Sequence, residues 1–99
     1  MLTIIFNQNV NTKMGLSDFN RDISVQNNIL QSVGFLSIKQ DKNSEKILEE
    51  LAKNGITALT IAFEDEPIYE VEHLHASIVS ITNHLENNVI LADVEIKFN

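Results

Sequence analysis

The sequence predicts an α/β fold, a two-layer α+β domain spanning residues 1–99 in the order βαβαβαβ, with a four-stranded sheet and three helices mainly on one face. Three observations lead there. Four apolar runs rich in branched and aromatic residues recur along the chain, the segments between them carry helix-like spacing, and no repeat or low-complexity tract interrupts the series. The first strand is "LTIIF", Leu2–Phe6. A helix is expected over about Asp18 to Leu30, where Phe19, Ile23 and Leu30 keep helical spacing although Gln26 breaks the stripe. "SVGFLSI" (Ser32–Ile38) is the second strand.

The second helix has Asn43 or Ser44 as its N-cap, Ile47, Leu48 and Leu51 on one side, and "NG" at Asn54 and Gly55 as a left-handed stop. "TALTIAF" (Thr57–Phe63) is the third strand, with Leu59, Ile61 and Phe63 on one face and Ala58, Thr60 and Ala62 on the other. The third helix is expected from about Ile68 to Glu86, because Val71, Leu74, Ile78, Ile81 and Leu85 follow a 3-4-3-4 spacing and Pro67 sits at its start. "NVILADVEIKF" (Asn88–Phe98) closes the sheet, its end alternating Val94, Ile96 and Phe98 with Asp93, Glu95 and Lys97. The expected core is Leu59, Ile61, Phe63, Val71, Leu74, Ile78, Ile81, Leu85 and Ile90. The face bearing Ala58, Thr60 and Ala62 is expected to be thinly covered and to serve a homodimer or another partner.

Composition narrows the function classes. Ninety-nine residues with only three glycines and one proline give one folded domain. The absence of cysteine excludes disulfides, thiolate metal sites and thiol nucleophiles, and agrees with a cytoplasmic setting. The N-terminal apolar run is too short to cross a bilayer and lacks the pattern of a signal peptide, so no membrane partner is expected. Net charge is −7 and the seven basic residues are scattered, which disfavours nucleic acid as a partner.

No strong catalytic motif is present. On a helix His73 and His75 would be about 200° apart, and His73 and His84 roughly 16 Å apart in rise, so no metal site is expected. His75 would be partly buried, with His73 and His84 facing solvent. No glycine-rich phosphate loop and no activated nucleophile can be assembled, and no cofactor is expected. Tyr69 beside Glu70 could do acid–base work, but an ordinary first helical turn explains both.

"GLSDFNRDI", Gly15 to Ile23, with the elements that follow it, resembles the C-terminal domain of the tubulin/FtsZ family. "SDFNRDI" matches, in its Asp-Phe pair Asp18 and Phe19, the loop whose acidic side chains in that family complete the GTPase site of the next subunit. Asp22 falls one residue late for the second acidic position, and the nucleotide-binding domain is absent. The resemblance implies the same α/β layout, with "LTIIF" in the place of a C-terminal strand. It also implies a partner-binding role for Ser17, Asp18, Phe19 and Asp22. The alternative for these residues is a helix cap worth about 1–2 kcal/mol.

The expected function is therefore a non-catalytic protein-interaction module that caps or joins a tubulin/FtsZ-like polymer. Two alternatives remain beside it. One is a small acidic inhibitor from a phage or mobile element acting on a host protein; the other is a small oligomeric ligand-binding protein or enzyme with the layout of chorismate mutase, with Arg21 or a lysine beside a carboxylate.

Overall fold

The structure, a computed structural model, describes the backbone of residues 1–26 and 29–98 and the side chains of 1–20 and 33–98. It is mostly antiparallel β: β1 (Leu2–Phe6), β2 (Met14–Gln26), β3 (Ile29–Lys39), α1 (Lys42–Asn54), β4 (Leu59–Phe63), β5 (Glu66–Val71), β6 (Ala76–Glu86) and β7 (Val89–Phe98). Hydrogen bonding orders the strands β5-β4-β1-β2-β3-β7-β6, all neighbours antiparallel. This corrects the α/β expectation of four strands and three helices.

Two of the three expected helices are strands. Of the segment expected to be helical from Asp18 to Leu30, residues 27 and 28 lie outside the described residues and the rest belong to β2 and β3; the segment from Ile68 to Glu86 contributes to β5 and β6. The cause is a bulge that imitates helical spacing. In β6 the register shifts between Ile78 and Ser80, so the extra residue Val79 lets Ile78 and Ile81 both face the core side while three positions apart. Four-residue steps such as Ile81 to Leu85 are even, and satisfy a strand as well as a helix. The same device operates in β2, where the shift between Leu16 and Asp18 brings Leu16 and Phe19 onto one face.

The inner face is traced by burial: Leu2, Ile4 and Phe6 in β1 face Phe63, Ile61 and Leu59 of β4, while Leu36 and Ile38 of β3 face Val94 and Ala92 of β7. Of the expected core, Leu59 and Ile61 are buried, and Val71, Leu74 and Ile78 are half-buried. Phe63, Ile81, Leu85 and Ile90 are exposed, because they lie at strand ends or on the outermost strand. The core is completed by Ile4, Phe6, Met14, Leu16, Leu36, Ile38, Ile56, Val94 and Ile96. The face of Ala58, Thr60 and Ala62 is not bare, since Ala58 is buried and the other two are half-buried.

Strand β2 joins the two halves of the row. Its start pairs with β1 at Thr3–Gly15 and Ile4–Met14, and from Leu16 onward it pairs with β3. At another point the halves are tied by an isolated bridge between Ile56 and Ala76, with hydrogen bonds of 2.9 and 3.1 Å, and by Leu74 N–H donating to the Thr57 carbonyl at 2.8 Å. Asn7, at positive φ after β1, reinforces the joint: its Oδ1 accepts from Thr57 N–H at 2.8 Å and its Nδ2 donates to the Gly55 carbonyl at 3.3 Å. The row therefore folds over itself, with α1 covering part of the inner face through Leu48 and Leu51.

Helix α1 is where the sequence places a helix, ending at Gly55 with φ 83°. Its cap is Asp41, two or three residues earlier than Asn43 or Ser44: Oδ1 accepts from Asn43 N–H at 2.9 Å and Ser44 N–H at 2.8 Å. Ser44 is buried and donates its hydroxyl to the Lys39 carbonyl at 3.1 Å. These bonds, first the one from Ser44 N–H, hold the Asp41 carboxyl below its ordinary pKa despite an opposing desolvation effect. A depressed carboxylate pKa adds stability above the unfolded value, about 4, that is lost as pH falls through the folded value. The stability advantage of the native chain over Asp41→Ala should thus be full near neutral pH and shrink on acidification below about pH 4, measured by urea titration at several pH values.

Candidate functional site

The inner face holds an apolar cavity of about 300 Å³, walled by Phe19, Leu36, Leu59, Ile61, Tyr69, Ile96 and Phe98, with Asn20 and Gly34 completing the lining. Its position follows from the fold. Leu59, Ile61 and Tyr69 come from the β4–β5 half, the others from the β2–β3–β7 half, so the cavity lies where the halves face each other. Tyr69 stands opposite Ile61 in the register, and Phe19 opposite Leu36. Gly34 has a steric reason to be glycine: a Cβ there would lie 2.8 Å from Phe98 Cε2, so the ring lies over the bare backbone. Phe19 is 40% exposed and Tyr69 38%, so both also belong to the rim.

The structure separates the residues that the family resemblance grouped. Phe19 faces the cavity, whereas Asp18 pairs across from Ser37, and its Oδ1 accepts from Phe19 N–H at 2.8 Å. Ser17 is the exposed bulge residue. The side chains of Asp22 and Arg21 lie outside those described. The α/β layout that the resemblance implied is not the fold of this chain, and none of these residues caps a helix, because β2 runs through them. Tyr69 and Glu70, considered as an acid–base pair, point to opposite faces of β5.

A second group lies on the outer face of β3, β7 and β6. Ser37 Oγ donates to Asp93 Oδ1 at 2.7 Å, His84 Nδ1 lies 2.9 Å from Asp93 Oδ2, and His84 Nε2 lies 3.3 Å from Glu86 Oε2. The Nδ1 contact has ion-pair distance without the alignment of a hydrogen bond. His84 is thus half-buried beside two carboxylates, while His75 is exposed, the reverse of the expectation. The order of groups does not make a nucleophile: the serine hydroxyl is spent on the carboxylate and not on the imidazole. Among the described residues no three histidine or acidic side chains are grouped to hold a metal ion.

The aromatic wall was only partly legible in the sequence. Phe19 was singled out for another reason, and Gly34 in mid-strand was the available signal, since glycine there marks close approach by another group. Tyr69 of β5 and Phe98 of β7 are separated in the strand row by β4, β1, β2 and β3, and line one cavity only through its folding. Comparison with protein-family models, curated proteins and solved structures finds no match to this chain. No helix among the described residues is long and apolar enough to cross a membrane.

Proposed function

We propose that the chain is a non-catalytic protein-interaction module whose apolar cavity receives an aromatic or branched side chain from a protein partner. The observation that supports this is the cavity wall of Phe19, Tyr69 and Phe98, two of them on the rim. Aromatic residues lining a desolvated pocket are the usual anchors of protein interfaces. About 300 Å³ exceeds the roughly 150 Å³ that holds a benzene ring, so one large apolar side chain fits. A polar metabolite would need several orienting groups, whereas Asn20 and Tyr69 alone bring polar side-chain atoms to this lining. The chemistry of the cavity defines the partner no further than an apolar anchor.

Proteins retained by the immobilised chain from extracts of its own source cells are to be identified, purified and titrated against native protein, Phe19→Ala and Val10→Ala. Val10 is exposed and lies outside the cavity. Phe19→Ala is expected to weaken binding by roughly tenfold or more with an unchanged melting temperature, and Val10→Ala to leave it intact. Equal binding by all three would exclude the cavity as the contact.

A further inference from the structure

The two ends of the strand row are unlike each other. β5 carries Pro67, which has no N–H to offer, the bulge residue Ile68 between the Ala62–Pro67 and Ile61–Tyr69 pairs, and Glu66 and Glu70. An antiparallel copy of β5 centred on Ile68 would set Glu66 against Glu70. These features guard an edge against pairing. β6, at the other end, has no proline, lysine or arginine over Ala76–Glu86, and Glu86 is its one carboxylate. Its bulge stops at Ser80, leaving the run Ser80–Glu86 in regular register with β7.

We infer that β6 pairs with β6 of a second copy of this chain, antiparallel about Asn83. This register sets Ile81 against Leu85 twice, Thr82 against His84, Ser80 against Glu86, and the two Asn83 amides against each other. No like charges meet, although each chain carries −7 overall. Ile81 and Leu85 share the inner face and are 40% and 68% exposed, so the pairing covers side chains that the single chain leaves in water. A hollow of about 540 Å³ between Ile81 and the Lys46, Glu49, Glu50 and Lys53 side of α1 gives the second copy's Leu85 a place to enter. Ile90, the cross-strand neighbour of Leu85, is exposed on the same face and extends the apolar strip. Antiparallel pairing about a two-fold axis closes after two copies and continues one sheet through both.

The test is sedimentation equilibrium of the native 11.2 kDa chain over a wide concentration range, with two double variants. Both substituted positions are exposed, so circular dichroism should report an unchanged fold. Ile81→Lys with Leu85→Lys sets lysine against lysine and is expected to weaken the dimer by roughly tenfold or more. Ile81→Lys with Leu85→Glu sets lysine against glutamate in this register and is expected to stay dimeric, more so at low salt. A native chain that remains monomeric at millimolar concentration overturns the inference. So does a dimer that survives the double-lysine change, or one lost equally in both variants.

Discussion

Replacing Phe6 by alanine is expected to lower the free energy of unfolding by about 3–5 kcal/mol, the range for deleting a buried aromatic ring. Phe6 is fully buried at the end of β1, opposite Leu59 of β4. Its backbone stays anchored without the ring, because its N–H donates to Thr12 Oγ1 at 2.8 Å and its carbonyl accepts from that hydroxyl at 3.0 Å. The neighbouring strands therefore cannot collapse into the space, which puts the cost toward the upper part of the range. A domain of this size has only about 5–15 kcal/mol in total. Urea denaturation should show a much lower midpoint at similar slope, while Phe63→Ala, at an exposed position, changes the midpoint little. A small change at Phe6 would contradict the placement of β1 at the centre of the core.

Leu48→Ala is expected to cost about 2–5 kcal/mol and to act first on α1. A helix of 13 residues is marginal in water by itself, so it depends on the face it buries. Leu48 and Leu51 provide that face, and Leu48 is 2% exposed. Amide exchange in α1 should accelerate more than in β1, since removing the anchor raises the population of a state with the helix undocked. Lys46→Ala, on the solvent side of the same helix, should leave both stability and exchange nearly unchanged.

The sequence made α1 legible because its signals are local: an apolar stripe, the polar capping candidates Asn43 and Ser44 near its start and Gly55 at its end. The strands Leu2–Phe6, Ser32–Ile38, Thr57–Phe63 and Asn88–Phe98 were legible for the same reason, each falling on an observed strand to within a few residues. The 3-4 spacing of Ile78, Ile81 and Leu85 imitates a helix, but a bulge added to a period of two produces it here. The competing signal was present: four β-branched residues within "SIVSIT" favour a strand. Turn chemistry spoke for strands too, since Glu64–Asp65 and Asn87–Asn88 sit at positive φ between paired strands, and Asn–Asn tolerates that conformation well. The cavity was hidden for another reason. Phe19 and Tyr69 are far apart in sequence, and no local pattern reports that a sheet will fold over.

The strand order has a consequence for the chain during its synthesis. β2–β3, β4–β5 and β6–β7 are hairpins between consecutive segments, but β1 needs β4, whose residues are made much later. Its early partner β2 pairs with it at only two positions. At ordinary elongation rates the uncharged, proline-free "LTIIF" segment waits on the order of seconds with one flank unpaired. That interval is when the Leu2–Phe6 segment is most exposed to pairing with a neighbouring nascent copy, a hazard that ends once β4 is in place.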